Sequence, residues 1–170
     1  MTGLERNAEV VHLASYAPLL AHAEGWQWTP DLIWFDNLQA YGTANYYVQK
    51  MYSTNKGTHV LPMLSNKIPL TGQNKLYAMA SLDKNTREII LKMVNGSEQP
   101  QISEVTLNGA GKLSSKGKLI VLTGESMDAV NSFERPKQIA PLETDIVVKG
   151  KKVNLTLAPN SFSVVRIKMN

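Results

Sequence analysis

The pattern that decides the fold lies in the last strand of the chain, which reads Ser161-Phe162-Ser163-Val164-Val165-Arg166-Ile167-Lys168-Met169. Over its second half, Val165, Ile167 and Met169 alternate with two basic residues. A period of two residues is typical of a β-strand that turns one face toward a core. We therefore predict a strand over residues 161–169 in a sheet with one apolar face.

The same period recurs upstream from about residue 57, between short turn signals such as Asn95-Gly96-Ser97 and Asn108-Gly109. It predicts seven further strands, over residues 59–64, 76–83, 88–95, 103–107, 117–123, 144–148 and 152–157. The polar, proline-containing connection 126–141 is predicted to be an ordered loop. Short strands at this spacing predict a mainly β chain whose residues 57–170 form an antiparallel two-sheet β-sandwich, jelly-roll-like in type. We expect this sandwich to fold without the first 56 residues.

Residues 1–56 follow a different pattern. A helical spacing near the N-terminus leads into a short apolar strand at 10–16, a loop at 18–31 and a second apolar run at 32–35. Thr43 is a plausible N-cap for a helix that ends near Ser53. We expect the apolar face of that helix, Tyr47, Val48 and Met51, to pack on the sandwich. Nine of the twelve aromatic residues lie between Tyr16 and Tyr52, and such a cluster needs a large surface to pack against.

Composition excludes several functions. The absence of cysteine excludes disulfides and thiolate chemistry, and no apolar run is long enough to cross a bilayer, so we expect no membrane partner. The basic excess consists of scattered lysines without arginine clusters, which argues against nucleic-acid binding. His12, His22 and His59 lack metal-ligand spacing, so we expect no metal and no cofactor, with His12 a core residue of an apolar strand. Glu5 and Glu9 are expected on a solvated helix face rather than as a catalytic pair.

Several motifs in order along the chain resemble the C-terminal portion of the α-L-arabinofuranosidases of glycoside hydrolase family 51. The motifs are Leu4–Ala8, Ala14–Leu19, Trp28–Asp36, Tyr41–Thr43, Asn45–Lys50, Ile89–Asn95, Val121–Gly124, Asn131–Pro136 and Pro159–Val164. Ala44 departs from the family pattern, where proline is common. The resemblance implies that residues 1–56 are the remnant of the last β/α units of a (β/α)8 barrel, and that residues 57–170 are the C-terminal β-sandwich.

In that family two glutamates act as general acid/base and as nucleophile in a retaining mechanism. No glutamate of this chain lies in their motifs, so we expect both upstream of Met1 and assign no catalytic residue here. The resemblance implies a parent enzyme that removes terminal α-L-arabinofuranosyl residues from arabinan or arabinoxylan. The chain itself would be an inactive accessory part whose partners are the parent barrel and, through it, the glycan. We expect the isolated chain to self-associate. No signal-peptide pattern begins the sequence, and the parent's compartment, periplasmic or extracellular, is left open.

Barrel loops after the eighth strand border the active site in such folds, so Tyr16, Trp26 and Trp28 are candidates for the rim of the substrate pocket in the parent. The alternative is that these aromatic residues only pack the barrel against the sandwich. A second functional hypothesis is a stand-alone carbohydrate-binding or interaction module. A flat sugar platform needs coplanar exposed aromatics, and residues 57–170 contain only Tyr77, Phe133 and Phe162, of which Phe162 is expected in the core.

Overall fold

The computed structural model describes residues 1–170. It contains two α-helices, α1 (Thr2–Arg6) and α2 (Ala44–Thr54), and a short 3-10 helix at Gln73–Lys75. Neither α-helix is long and apolar enough to cross a membrane. The strands are β1 (Leu20–His22), β2 (Ile33–Phe35), β3 (Ala40–Gly42), β4 (His59–Leu61), β5 (Leu64–Ser65), β6 (Ile68–Pro69), β7 (Leu76–Asp83), β8 (Glu88–Asn95), β9 (Gln101–Thr106), β10 (Leu113–Leu122), β11 (Leu142–Val147), β12 (Lys152–Leu157) and β13 (Ser161–Met169).

The main layer is a six-stranded antiparallel sheet in the order β11-β10-β13-β8-β7-β4. Four strands, β7, β8, β12 and β13, have the bounds predicted from sequence. The turn between β7 and β8 sets where these two strands end and begin. In this turn the Asp83 carboxylate accepts hydrogen bonds from Asn85 N at 2.9 Å and Thr86 Oγ1 at 2.8 Å. Aspartate in this position stabilises a tight turn through its own backbone.

A second layer, the antiparallel pair β12-β9, packs on one face of the large sheet. The core between the layers is formed mainly by alternate residues of four strands, namely Ala78 and Ala80 of β7, Ile89, Leu91 and Met93 of β8, Val165 and Ile167 of β13, and Val153, Leu155 and Leu157 of β12. The predicted β-sandwich is therefore confirmed. The period of two in the sequence decides which residues enter this core, because neighbouring side chains of a strand point to opposite faces.

Helix α2 covers the opposite, outer face of the large sheet. Met51 and Tyr52 are buried there against Ile90, Phe162 and Val164, and the Tyr52 and Phe162 rings stack with centroids 4.6 Å apart. Tyr47 and Val48 pack at the edge of the same cluster. The predicted packing of this helix on the sandwich is confirmed, and β13 is consequently buried on both faces along its first half.

Helix α1 lies against β7, where Arg6 donates hydrogen bonds to Leu70 O at 3.1 Å and Ala78 O at 2.8 Å. Glu5 pairs with Lys92, a lysine of β8 whose side chain is 0% exposed. The expectation that Glu5 lies on a solvated face is therefore wrong. The local sequence could not reveal this pair, because Lys92 is 87 residues away from Glu5 in sequence.

Residues 10–16 do not form the predicted strand, and His12 is exposed instead of lying in a core. No strand of this chain pairs with the segment, and an extended apolar run is not stable without a neighbour that satisfies its backbone groups. The predicted loop at 18–31 also needs correction. It contains β1, which pairs in parallel with β2, and β2 pairs antiparallel with β3.

The connection 126–141 contains neither helix nor strand, as predicted, and the same loop begins already at residue 123. It lies over the outer face beside α2. Its Ile139 is buried in the same cluster as Met51 and Tyr52. The loop therefore covers part of the outer face rather than only linking two strands.

Candidate functional site

The aromatic segment, residues 10–42, carries the candidate site residues. All three tryptophans lie within residues 26–34, in the loop between β1 and β2 and on β2 itself. The Trp26 ring meets the Trp34 ring edge to face at 5.7 Å. Trp26 is 49% exposed and Trp28 is 69% exposed. Two large aromatic side chains thus stand in solvent on one loop.

Tyr16 precedes β1 in the sequence and contacts this loop through a hydrogen bond. Its hydroxyl donates to Pro30 O at 3.1 Å. The structure therefore brings Tyr16 to the segment that carries Trp26 and Trp28, although Tyr16 belongs to no strand. Below this loop the His22 and Phe35 rings of β1 and β2 are in edge-to-face contact at 5.2 Å.

The turn from β2 to β3 is closed by Asp36. Its carboxylate accepts hydrogen bonds from Leu38 N and Gln39 N, both at 2.7 Å, and these bonds hold the pKa of Asp36 below its usual range. A carboxylate that satisfies two turn amides fixes the register of the short hairpin.

The joint between β3 and α2 is formed by Gly42 and Thr43. Thr43 Oγ1 accepts from Tyr46 N at 3.3 Å as the N-cap and donates to Leu32 O at 3.0 Å. A side chain at Gly42 would overlap the Tyr46 ring, so glycine is required here. This joint ties the aromatic segment to the helix that packs on the sandwich.

Two residues of the loop 123–141 contact β3, at Gly42 and at Tyr41, and the sequence analysis assigned neither of them a role in this segment. Asn131, 4% exposed, donates from Nδ2 to Gly42 O at 2.8 Å and to Ile139 O at 2.9 Å, and its Oδ1 accepts from Ile139 N at 2.7 Å. The Phe133 ring meets the Tyr41 ring edge to face at 5.0 Å. Burial, and then the nearby Glu134 carboxylate, raise the pKa of Tyr41. Both partners are far away in sequence, so no local pattern could have revealed these contacts.

Two buried carboxylate oxygens lack a hydrogen-bond partner within the chain, one on Asp31 and one on Glu5. Asp31 is 3% exposed and directly precedes Leu32 in the aromatic segment. An unpaired buried carboxylate is costly. One buried carboxylate oxygen of Asp31 therefore has no hydrogen-bond donor within this chain.

The chain offers no group of three or more His, Asp or Glu side chains that could hold a metal ion. It also offers no flat aromatic platform on the sandwich, since Phe162 is buried and Phe133 packs on Tyr41, which leaves Tyr77 alone. A cavity of about 780 Å³ lies between the two sheets near β4 and β9 and is lined mainly by aliphatic side chains. A groove of about 420 Å³ lies between α1, residues 8–14 and the end of α2.

Comparison with known proteins places these features in a family. The model of the α-L-arabinofuranosidase C-terminal domain matches residues 1–161. The chain is similar to α-L-arabinofuranosidase 1 of Arabidopsis thaliana, with 30% identity over 167 residues that make up 96% of this chain and 24% of that protein. It is also similar to an extracellular exo-α-L-arabinofuranosidase of Streptomyces chartreusis, with 55% identity over 69 residues, or 41% of this chain and 8% of that protein.

Solved structures agree with the sequence relatives. An arabinose-bound MgGH51 α-L-arabinofuranosidase matches 100% of this chain and 26% of its own, with a TM-score of 0.88 and 33% identity. The α-L-arabinofuranosidase of Thermotoga maritima in complex with arabinose has a TM-score of 0.74 over 96% of this chain and 35% of its own, and at 22% identity it supports the fold alone. The chain spans about a quarter of the length of the Arabidopsis and MgGH51 relatives. It belongs to the C-terminal domain family of the glycoside hydrolase family 51 α-L-arabinofuranosidases.

Proposed function

We propose that the chain is the accessory, non-catalytic C-terminal part of a retaining enzyme that removes terminal α-L-arabinofuranosyl residues from arabinan or arabinoxylan. The observation that carries this proposal is the continuous family match over residues 1–161, which includes the aromatic segment and the sandwich up to the start of β13. In this arrangement residues 1–56 complete the barrel and residues 57–170 form the sandwich. This division into residues 1–56 and 57–170 is supported by the strand pairing, since β1–β3 form a sheet of their own and do not pair with the six-stranded sheet.

The rim of the sugar pocket is proposed to include Tyr16, Trp26 and Trp28. Aromatic faces suit the C–H-rich surface of a sugar ring, and both indoles are exposed on one loop that Tyr16 anchors at Pro30. The alternative, that these residues only pack against the sandwich, is less well supported, because the aromatic partner of Trp26 is Trp34 of the same segment.

Electrostatics argue against a general-acid role for five carboxyl groups of this chain. A general acid in glycoside hydrolysis needs a raised pKa, set by an apolar environment or a nearby negative charge. The carboxyl groups whose pKa is displaced in this structure are all displaced downward, namely Asp36, Asp83, Glu88, Glu134 and Asp145. These five groups are poorly suited to donate a proton to a leaving sugar.

The proposed partner of the aromatic segment is the upstream barrel of the same enzyme. Large apolar side chains such as Leu13, Trp28 and Leu38 are exposed on this segment, and a partner that covers them would remove this apolar area from water. The unpaired oxygen of Asp31 also needs a hydrogen-bond donor. A barrel that covers the segment and donates to Asp31 satisfies both requirements.

The test is an assay with an aryl α-L-arabinofuranoside. The 170-residue chain, purified free of host glycosidases, should show no turnover, whereas the full-length enzyme that contains it should be active. In the full-length enzyme Trp28→Ala should raise KM. Turnover by the isolated chain that is abolished by replacing one of its own glutamates would contradict the proposal.

The alternative of a stand-alone carbohydrate-binding module predicts a different result. Such a module would bind arabino-oligosaccharides in calorimetric titration without the barrel. The lack of an aromatic platform on the sandwich argues against it, and we expect no heat of binding from the isolated chain.

A further inference from the structure

The sandwich contacts the aromatic segment through two side chains of one loop. Asn131 donates to Gly42 O at 2.8 Å, across 89 residues of sequence. Phe133 packs edge to face on Tyr41 at 5.0 Å. Gly42 and Tyr41 are consecutive residues of β3, so both contacts hold the same short strand.

The Asn131 contact is geometrically restrictive. This buried amide uses its oxygen and both of its N–H donors in hydrogen bonds, two with Ile139 and one with Gly42. A buried amide with all of these partners satisfied has one favourable orientation. Because the Tyr46 ring fills the space beside Gly42, the glycine is held between Asn131 and Tyr46.

Strand pairing carries this restraint toward the exposed tryptophans. Tyr41 pairs with Trp34 and Gly42 pairs with Ile33 in the β2-β3 ladder. Trp34 in turn supports Trp26, and the loop that begins at β1 and ends at β2 carries Trp28. The sandwich is therefore linked to the pocket rim by the β2-β3 ladder and by the ring contact between Trp34 and Trp26.

We propose that Asn131 and Phe133 are positioning residues, through which the β-sandwich fixes the orientation of the Trp26 and Trp28 loop and so the affinity of the pocket for an arabinofuranosyl group. This inference rests on the proposed function. It gives the sandwich a specific effect on substrate binding in addition to its contribution to stability. Thr43, the N-cap of α2, donates to Leu32 O and so holds the start of β2 independently of the loop 123–141. Loss of the loop contacts therefore loosens the rim without detaching it.

The first experiment uses the 170-residue chain. Its three tryptophans all lie within residues 26–34, so intrinsic tryptophan fluorescence reports this segment alone. Asn131→Ala and Phe133→Leu should shift the emission to the red and increase quenching by acrylamide below the thermal transition, with the far-UV circular dichroism unchanged. Val130→Ala, an exposed neighbour on the same loop, should behave like the wild type.

A second pair of variants separates the ring contact from the hydroxyl. Tyr41→Phe keeps the ring that Phe133 meets, so its fluorescence should match the wild type. Tyr41→Leu removes the ring and should reproduce Phe133→Leu. If Tyr41→Leu and Phe133→Leu leave quenching unchanged while the fold is intact, the contact does not position the segment and the inference is overturned.

The second experiment measures KM and kcat in the full-length enzyme. Asn131→Ala and Phe133→Leu should raise KM by about three- to tenfold, the size expected when one buried hydrogen bond or ring contact no longer holds the binding site, with kcat little changed. A variant that only destabilises the fold would instead lower the amount of active enzyme and leave KM unchanged.

Trp28→Ala distinguishes the possible failures. If it raises KM while the Asn131 and Phe133 variants do not, the rim assignment stands and the positioning role is wrong. If Trp28→Ala also leaves KM unchanged, the rim assignment itself is wrong and the positioning role falls with it.

Discussion

At the scale of single residues, the least expected feature is Lys92. Its side chain is 0% exposed on the outer face of the sheet, where its ammonium group pairs with Glu5, lies 4.6 Å from the centre of the Tyr52 ring and is 3.3 Å from Tyr52 O. Burial lowers the pKa of Lys92, and the Glu5 carboxylate opposes that shift. Removing one partner of a buried ion pair lowers the free energy of unfolding, because the remaining charge stays buried without a counter-charge.

We therefore expect Glu5→Gln to lower the free energy of unfolding toward the lower end of about 3–5 kcal/mol, because 26% of the Glu5 side chain is exposed. The double variant with Glu5→Leu and Lys92→Met should be close to neutral. Urea denaturation measures both. The control is Glu104→Gln in the exposed pair with Lys152, which should cost at most about 1 kcal/mol. Equal losses in the control and in Glu5→Gln would show that Lys92 does not depend on its partner.

The pair of Glu88 and Arg166 makes stability depend on pH. Burial raises the pKa of Glu88, but hydrogen bonds from Arg166 and Thr86 outweigh it, so the pKa is lowered. A carboxyl group whose pKa is lowered by folding contributes stability above its unfolded pKa of about 4.3, and that contribution is lost as pH falls through the folded pKa. The stabilising effect of the pair should therefore disappear in acid.

Thermal melts between neutral and acidic pH test this expectation. Glu88→Gln should flatten the fall of Tm below about pH 4. Arg166→Gln should flatten it as well, because only Thr86 and Lys168 then oppose the effect of burial on the pKa of Glu88. If both variants keep the wild-type slope, other carboxylates account for the acid sensitivity.

At the scale of elements, α2 is part of the hydrophobic core. It contributes Met51 and Tyr52 to a buried cluster with Ile90, Phe162 and Val164 of the sheet. The pattern of residues 57–170 led us to expect a sandwich that folds alone, but that pattern contains no information about what covers the outer face. The structure argues against independence, since removal of α2 exposes this cluster to water.

We accordingly expect a chain that begins at Gly57 to lack a cooperative thermal transition. In the intact chain Met51→Ala should lower the free energy of unfolding by about 2–5 kcal/mol, as for other large-to-small core changes. Ser53→Ala, on the exposed side of the same helix, should stay within about 0.5 kcal/mol. Scanning calorimetry measures all three, and a sharp transition in the truncated chain would show that the outer face tolerates exposure.

At the scale of the whole molecule, one end of the chain is well packed and the other is open. The sandwich has a continuous core, whereas residues 10–38 expose Leu13, Trp28 and Leu38. In the absence of the proposed barrel, association of two copies would remove these side chains from water. This predicts self-association of the isolated chain.

Sedimentation velocity at several concentrations tests the prediction. The average sedimentation coefficient should rise with concentration for the wild type. It should rise less for a variant with Leu13→Ser and Trp28→Ser, whose changes lie on exposed positions and leave the core intact. A concentration-independent monomer would contradict the prediction.

The elements that are predicted correctly from the sequence are those set by residues a few positions apart. The strand at 161–169 and the hairpin at 76–95 were predicted with their observed bounds, because alternation and turn residues act within a few positions. Thr43 was found as an N-cap for the same reason. The rim candidates could be named from the sequence, but the residues that hold their loop, Asn131 and Phe133, could not, because their partners are about ninety positions away.

Short-range periodicity and residue type in the sequence are enough to predict the β-rich composition, most strands of the sandwich and the aromatic segment. The strand order of the sheet, the burial of Lys92 and the exposure of residues 10–16 depend on tertiary contacts. The same apolar or charged residue can face a core, a partner or water, and its own neighbours in sequence do not distinguish these outcomes. That choice depends on which distant segment satisfies its backbone, its charge and its apolar surface.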